Sequence, residues 1–179
     1  MSLCWWTKTA IFWRNNMLNV LFVCLGNICR SPLAEGVFRE LVKQRGLSEQ
    51  IACDSAGTHN YHIGALPDPR SRRVAADYGI ALTHRGRKLS SEDFGQFEYI
   101  VAMDEANLEN IQTLFRRSTG LVLPDDRLFL YRAFDPQANS NEVPDPYYED
   151  ITAFEEVYQI VERCGQHFLE YLIERHNLA

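Results

Sequence analysis

The feature that most restricts the fold is a short apolar run, Asn19–Cys24, which leads directly into a turn and a helix start. A continuous apolar run of this length is typical of a strand that is buried on both faces. In the residues that follow, Ser31 is a predicted N-cap and Pro32 suits the first helical position. Because a strand buried on both faces needs a covering layer on each side, the segment favours a parallel α/β sheet.

The rest of the chain repeats this alternation of strand and helix. Further strands are predicted at Ile51–Ser55, Phe97–Met103 and Arg127–Leu130, and helices at Ser31 to about Gly46, from Asp68 to Gly79, from Asp104 to about Arg117 and from about Ile151 to Arg175. Strands that alternate with helices predict parallel pairing and a three-layer α/β architecture. No linker interrupts the pattern, so residues 17–179 are predicted to form a single domain.

Composition excludes several classes of protein. The 179 residues are 46% hydrophobic and 23% charged, as in a soluble globular chain. The net charge of -6 argues against a general nucleic-acid binder, which needs a basic surface. However, basic residues predominate in residues 1–88, which leaves room for a local anion site. No run of 18 apolar residues exists, so no membrane span is predicted.

Residues 1–16 and the cysteines bear on location. Residues 1–16 lack a continuous apolar stretch and a cleavage site, which predicts a non-secretory N-terminal extension. The extension is expected to be either disordered or an artefact of the start site, because Met17 is itself a possible start. The five cysteines are scattered and include no CxxC pair: Cys4, Cys24, Cys29, Cys53 and Cys164. This pattern indicates neither a disulfide framework nor a structural zinc site. A reducing, cytoplasmic location is expected.

The chemistry of the chain is predicted to centre on Cys24, at the carboxyl end of the first strand. There the free N–H groups of a turn and a helix N-terminus favour a bound oxyanion, and Gly26 eases the turn. The planar guanidinium of Arg30 can bind two phosphate oxygens. The same field favours the thiolate of Cys24, to which Ser31 can donate its hydroxyl. These residues predict phosphoryl transfer to sulfur without a metal or another cofactor.

Taken together, Val23–Pro32 resembles the phosphate loop of the low-molecular-weight protein tyrosine phosphatases. The resemblance extends in order through Asp54–Gly57, Pro67–Arg70, Val101–Asp104 and Asp145–Tyr148. It implies a small parallel sheet of four strands in the order 2-1-3-4, with helices on both faces. It also implies hydrolysis of phosphotyrosine through a cysteinyl-phosphate intermediate on Cys24. The residues expected to bind the phosphate with Arg30 are Leu25, Gly26, Asn27, Ile28, Cys29 and Ser31.

The same resemblance assigns the proton transfer and the substrate pocket. It makes Asp145 the general acid and then the general base, although from the residues alone an ordinary turn between two prolines is the better interpretation. Tyr147 and Tyr148 are then expected to wall an aromatic pocket, with packing against the last helix as the alternative. Tyr61 falls where the family has an aromatic gate over the substrate, with an exposed loop tyrosine as the alternative.

Supporting roles are implied for three further residues. By resemblance, Ser55 and His84 hold Asn27 in place, whereas the sequence alone favours a surface histidine for His84. Cys29 is expected to form a protective disulfide with Cys24 upon oxidation, with an inert filler of the loop as the alternative. A basic cluster could attract acidic phosphopeptides or simply be solvated: Arg70, Arg72, Arg73, Arg85, Arg87 and Lys88.

Three rival functions can be weighed on the sequence. An arsenate reductase of this fold needs downstream cysteines, and residues 54–163 contain none. A phosphoarginine phosphatase resembles this loop but carries threonine where Ile28 stands. A catalytically dead phosphopeptide-binding module is expected to have lost Cys24, Arg30 or Asp145. The expected partner is therefore a tyrosine-phosphorylated protein, with a cognate tyrosine kinase as one candidate, and phosphate-like oxyanions are expected to inhibit.

Overall fold

A parallel four-stranded sheet lies at the centre of the computed structural model, which describes residues 17–179. The extension predicted for residues 1–16 lies outside the described residues. The strands are β1 (Leu18–Cys24), β2 (Ile51–Gly57), β3 (Tyr99–Ala102) and β4 (Leu128–Leu130). All neighbours pair in parallel, in the order β2-β1-β3-β4. The predicted fold class and strand order are confirmed.

Helices connect the strands, as the alternating pattern predicts. They are α1 (Arg30–Gln44), α2 (Pro69–Asp77), α3 (Asp93–Gln96), α4 (Glu105–Thr119) and α5 (Ile151–His176), with a short 3-10 helix at Tyr131–Phe134. The sequence did not predict α3 or the 3-10 helix, because each has only four residues and therefore too few turns for a helical pattern. No helix within residues 17–179 has the length and apolar character needed to cross a membrane.

The alternating side chains of β1 build a separate core on each face of the sheet. Val20 and Phe22 pack with residues of α1, α2 and α5. Leu21 and Val23 face the other side, where α3 and α4 cover them. All four side chains have no exposed surface, which explains why the run in the sequence is continuous rather than alternating.

The predicted starts of α2, α4 and α5 agree with the structure, whereas the predicted N-cap of α1 is wrong. The side chain of Asp68 caps α2 by accepting from the N–H of Arg70, and that of Asp104 caps α4 by accepting from the N–H of Asn107. Ser31 is not the N-cap of α1, because the helix already begins at Arg30 and no side chain caps it. The Ser31 hydroxyl is instead directed to the loop that precedes the helix, where it has other partners.

The ends of β1 and β2 together support the segment that joins β1 to α1. This segment, Leu25–Cys29, is called the phosphate loop below. Cys24 accepts a hydrogen bond at its carbonyl from the N–H of Thr58, 2.9 Å away, just beyond β2. Gly57 fits beneath the loop because a Cβ at this position would lie 2.9 Å from the carbonyl oxygen of Leu25. The chain therefore needs glycine here for close approach, not for an unusual φ.

Candidate active site

Cys24 lies at the base of a cleft of about 340 Å³ at the carboxyl end of β1. Its side chain is almost completely buried, with 3% of its surface exposed. Its Sγ accepts a hydrogen bond from the N–H of Asn27 at 3.2 Å and lies 3.0 Å from Oγ of Ser31. Donors directed at the sulfur stabilise a thiolate, the form in which cysteine acts as a nucleophile.

Asn27 holds the phosphate loop from behind. Its φ of 56° is in the left-handed region, and its side chain is completely buried. Oδ1 accepts from the backbone N–H of Arg87 at 2.9 Å and lies 2.9 Å from Nε2 of His84. Since a backbone N–H can only donate, this contact fixes the orientation of the amide. Nδ2 then donates to the hydroxyls of Ser31 and Ser55, each at 2.9 Å.

The contact with Asn27 also determines how Ser31 can act. The oxygen of Ser31 accepts from Asn27, so its own proton is free to point at Sγ of Cys24, 3.0 Å away. The carbonyl oxygen of Ala56 is a more distant alternative acceptor at 3.4 Å. Ser31 thus lies next to Cys24, as predicted, but it does not cap α1.

Ser55 and His84 lie beside Asn27, where the resemblance places them. The hydroxyl of Ser55 donates to Glu35 Oε2 at 2.7 Å. Nδ1 of His84 lies 3.2 Å from Glu35 and 3.3 Å from Asp54. Both ring nitrogens of His84 therefore face side-chain oxygen acceptors. His84 is not the surface histidine that the residues alone favour.

Glu35, Asp54 and His84 are also the residues that could hold a metal ion, since their ligand atoms lie within 4.8 Å of one another. Burial alone would raise the pKa of Asp54, but hydrogen bonds from His84 and Arg87 outweigh it and lower the pKa to about 2. Glu35 is engaged by Arg39 and Ser55. Because each carboxylate already has cationic or hydroxyl partners, we interpret the cluster as an ion network that supports Asn27.

Arg30 lines the cleft and is held by three acceptors. Nη1 donates to Asp104 Oδ2 at 2.7 Å and to the carbonyl oxygen of Val143 at 3.1 Å, and Nη2 donates to Asp145 Oδ2 at 3.0 Å. Burial opposes the charged guanidinium, yet the negative charges of Cys24, Asp145 and Asp104 raise the pKa of Arg30 above its usual value. Among the described residues none accepts from Nε, which leaves this donor available to an oxyanion.

The loop before α5 brings Asp145 and two tyrosines to the mouth of the cleft. Asp145 is partly exposed, and its Oδ1 accepts from the N–H of Tyr147 at 3.2 Å. Tyr147 and Tyr148 line the cleft with their ring centroids 4.9 Å apart, and Tyr61 lines it from the opposite loop. Tyr148 is 93% exposed and Tyr61 65% exposed, so these rings have free surface at the entrance.

The other predicted loop residues have distinct positions. Leu25, Gly26, Ile28 and Cys29 line the cleft itself, whereas Asn27 and Ser31 lie behind it. Cys29 is buried and is a free thiol in this structure, as is Cys24. Burial, reinforced by Asp68 and Cys24, raises the pKa of the Cys29 thiol far above its usual range.

Three residues of the site were not predicted from the sequence. Asp104 is predicted only to begin a helix and to end a motif of the resemblance, yet one of its carboxylate oxygens binds Arg30 while the other caps α4. Glu35 lies in α1 and showed no signal beyond being an acidic residue on a buried helix face. His62 lines the cleft beside Tyr61, and its imidazole packs on Gly26, where a Cβ would lie 3.1 Å from the ring. Its position next to the predicted gate Tyr61 was the one available signal.

This geometry defines a class of site: a buried cysteine where a strand of a parallel α/β sheet passes into a loop and a helix, with an arginine and a carboxyl group lining the same cleft. Residues 19–177 match the family model described as low molecular weight phosphotyrosine protein phosphatase. The chain belongs to the low molecular weight phosphotyrosine protein phosphatase family, as the resemblance of its motifs implied.

Curated relatives and solved structures agree with this assignment. The human low molecular weight phosphotyrosine protein phosphatase is 44% identical over 152 residues, which are 85% of this chain and 94% of the human protein. The protein of that name from Dictyostelium discoideum is 39% identical over 170 residues, covering 87% of this chain and 93% of its own.

Among solved structures, the protein tyrosine phosphatase from Entamoeba histolytica superposes with a TM-score of 0.80 at 36% identity. The alignment covers 90% of this chain and 99% of that protein. The Drosophila arginine phosphatase also matches, with a TM-score of 0.79 at 31% identity, over 86% of this chain and 96% of its own.

Proposed function

We propose that this protein hydrolyses phosphotyrosine in proteins through a cysteinyl-phosphate intermediate on Cys24. The observation that carries the proposal is the environment of the Cys24 sulfur, which receives the N–H of Asn27 and lies beside the Ser31 hydroxyl under a cleft that also contains Arg30 and Asp145. A thiolate at the base of an oxyanion site is placed for in-line attack on phosphorus.

The first step forms a bond between Sγ of Cys24 and phosphorus and breaks the bond from phosphorus to the phenolic oxygen. The proton of Asp145 passes to that oxygen, so that tyrosine leaves neutral. In the second step the Asp145 carboxylate takes a proton from water, which attacks phosphorus and releases the thiolate and inorganic phosphate. The N–H groups of the phosphate loop and the guanidinium of Arg30 hold the non-bridging oxygens throughout.

The ion pair between Arg30 and Asp145 defines the arrangement of these two side chains before the two reaction steps begin. Asp145 Oδ2 lies 3.0 Å from Arg30 Nη2, so the arginine proposed to bind the phosphate also holds the proposed acid. A phosphate dianion competes for the same guanidinium and brings negative charge next to Asp145. Both effects release Asp145 from Arg30, so that its carboxyl group can approach the leaving tyrosine.

Cleft shape supports an aryl phosphate as the substrate. Cys24 is buried at the base, whereas Tyr61, Tyr147 and Tyr148 line the entrance. Phosphotyrosine is longer than phosphoserine and carries a ring, so it suits a cleft with the sulfur at its base and aromatic side chains along its lining. Aromatic rings in contact stabilise the complex beyond the area they bury.

The proposal is tested with substitutions at Cys24 and Asp145. Cys24→Ser is expected to abolish turnover of a phosphotyrosine peptide while inorganic phosphate still binds, as measured by calorimetry. Asp145→Asn is expected to lower kcat/KM by about 10² or more for phenyl phosphate, whose leaving group needs a proton, and less for p-nitrophenyl phosphate. Turnover that survives Cys24→Ser would refute the mechanism. Equal losses on the two esters would exclude Asp145 as the acid.

Phosphoarginine is the second candidate substrate, because this chain is similar in structure to the Drosophila arginine phosphatase. Ile28, which lines the cleft, supports phosphotyrosine instead, since its apolar side chain suits an aryl ring better than a guanidinium. Parallel hydrolysis of phosphotyrosine, phosphoarginine and phosphoserine peptides separates these substrates, with arsenate reduction as a further control.

We further propose a tyrosine-phosphorylated protein as the partner, with a cognate tyrosine kinase as one candidate, and inhibition by phosphate-like oxyanions at the loop. A cytoplasmic, reducing location is supported by the need for Cys24 as a free thiolate. Redox sensitivity is supported by Cys29, which lines the same cleft as Cys24. In that reaction peroxide oxidises the Cys24 thiolate to sulfenic acid, and the Cys29 thiol then forms the disulfide and releases water.

A further inference from the structure

The amino-terminal end of α2 is attached to the underside of the phosphate loop. The backbone N–H of Asp68 donates to the carbonyl oxygen of Ile28 at 2.8 Å. Within the first turn of α2, the hydroxyl of Ser71 donates to the carbonyl oxygen of Cys29 at 3.4 Å. The start of α2 is therefore fixed relative to the loop that holds the nucleophile.

Arg70, between these two residues, is held rigidly. Its Nε donates to Asp68 Oδ1 at 3.0 Å and its Nη2 to Asp68 Oδ2 at 2.8 Å, a bidentate pair that fixes the plane of the guanidinium. The guanidinium carbon lies 4.3 Å from the ring centroid of Phe154 in α5. Arg70 was grouped in the sequence with a basic surface cluster, but its charge is already paired.

The remaining donors of Arg70 reach the loop that carries Asp145. Nη2 donates to the carbonyl oxygen of Tyr147 at 3.0 Å, and Nη1 donates to that of Glu149 at 2.7 Å. Tyr147 is in turn bonded to Asp145, whose Oδ1 accepts its N–H at 3.2 Å. A continuous series of hydrogen bonds thus runs from the phosphate loop through Asp68 and Arg70 to the proposed acid.

Asp145 needs such support because the backbone around it has no regular structure. On its amino-terminal side, the N–H of Val143 donates to the carbonyl oxygen of Met103 at 2.8 Å. On the other side, Tyr147, Tyr148 and Glu149 are exposed and precede α5. Arg70 supplies two contacts there from outside the loop.

We propose that Arg70 is a positioning residue, which sets the place of Asp145 over Cys24 by linking the loop after Asp145 to the phosphate loop. The inference rests on the proposed function, since it concerns proton transfer by Asp145. Misplacing a general acid by a fraction of its hydrogen-bond length costs rate in the step where the leaving group takes the proton. The effect therefore depends on the leaving group, unlike a general loss of stability.

The test compares Arg70→Met with Arg72→Met, a matched control on the same helix whose residue is exposed. Arg70→Met is expected to lower kcat/KM for phenyl phosphate by about ten-fold or more and that for p-nitrophenyl phosphate by about three-fold or less. Arg72→Met is expected to leave both unchanged. Equal losses on the two esters, or no loss on either, would overturn the proposal.

Two further variants separate positioning from charge and from folding. In the Asp145→Asn background, Arg70→Met is expected to add less than about two-fold, because the group it positions is already gone. A full additional loss there would overturn the proposal. Arg70→Lys keeps the charge and a contact with Asp68, but one ammonium group cannot bind Asp68 and both carbonyls. It is expected to recover little activity, and full recovery would likewise refute positioning.

The same series separates this proposal from the proposed function. The wild-type protein and Asp145→Asn alone report whether the reaction uses a general acid at all. One outcome is that the dependence of kcat/KM on the leaving group differs between wild type and Asp145→Asn, while Arg70→Met shows the same dependence as the wild type. In that case the proposed function stands and only the role of Arg70 fails. Thermal unfolding of each variant shows that the compared proteins are folded at the assay temperature.

Discussion

Asn27 combines a strained backbone with a buried hydrogen-bonding side chain, so its substitution should affect stability and activity together. Its φ of 56° costs a residue with a Cβ about 1–2 kcal/mol relative to right-handed conformations. Four hydrogen bonds hold the side chain, from or to Ser31, Ser55, His84 and the Arg87 backbone. The fold maintains the strained loop through these contacts.

The magnitudes follow from these two contributions. Asn27→Gly removes the four hydrogen bonds, each contributing about 1 kcal/mol, and leaves the backbone N–H of Arg87 without this acceptor, so we expect a loss of about 3–5 kcal/mol. Asn27→Ala loses the same bonds and retains the strain of about 1–2 kcal/mol. The greater freedom of glycine in the unfolded chain offsets about 0.5–1 kcal/mol of that difference. Asn27→Ala should therefore be less stable than Asn27→Gly by about 0.5–1 kcal/mol.

Urea titrations of both variants and the wild type measure these differences in the free energy of unfolding. Unfolding is monitored by far-UV circular dichroism, a signal that does not depend on tryptophan. Phosphatase assays under conditions in which both variants remain folded should show lower kcat, because the N–H of Asn27 and the Ser31 hydroxyl lose their fixed direction toward Cys24. Losses below about 1 kcal/mol in both variants would refute the view that this network holds the loop. An alanine variant more stable than the glycine variant would refute the backbone strain.

Two further predictions concern acid stability and oxidation. Because the pKa of Asp54 is lowered to about 2, its contribution to folding is complete above about pH 4 and is lost as the pH falls toward 2. Asp54→Asn should therefore lower the free energy of unfolding at pH 7 by about 1 kcal/mol, a value reduced by the solvent exposure of the side chain. A difference in this free energy between variant and wild type that stayed constant down to pH 3 would contradict the prediction. Mild peroxide should inactivate the protein reversibly and yield a Cys24–Cys29 disulfide by mass spectrometry. Cys29→Ser should make the inactivation irreversible, whereas Cys53→Ser should not, and an oxidised wild type without that disulfide would exclude the redox role.

The parts of the fold that sequence predicted well are those with a local cause. The run that became β1 is apolar throughout because both of its faces are covered, and the caps Asp68 and Asp104 act within two or three residues of themselves. The capping prediction for Ser31 failed for a reason outside local rules. Its hydroxyl has a better use at Cys24 and Asn27, so the helix begins one residue earlier.

The contacts that shape the site are between residues distant in the chain, and residue patterns do not encode them. Arg30 meets Asp104 across 74 positions and Asp145 across 115. His84 reaches Asn27 across 57 positions. On residues alone His84 was a surface histidine and Asp145 a turn residue, and it was the resemblance that brought them to the site. Arg70 shows the same limit, since its pairing with Asp68 is local but its contact with Tyr147 depends on where α5 and α2 pack.

The charges around Arg30 explain how an acidic protein can hold an anion. Asp104 and Asp145 both contact its guanidinium, so the three groups together carry more negative than positive charge before substrate arrives. The two carboxylates are not equivalent, because Asp104 also accepts the N–H of Asn107 at the start of α4 while Asp145 lies on an exposed loop. We therefore expect an entering phosphate to displace Asp145 rather than Asp104. In the proposed mechanism Asp104 keeps the guanidinium aimed at the cleft, and the displaced Asp145 is free to transfer a proton. Binding and acid catalysis are then linked through one arginine, and the net charge of -6 has no part in either.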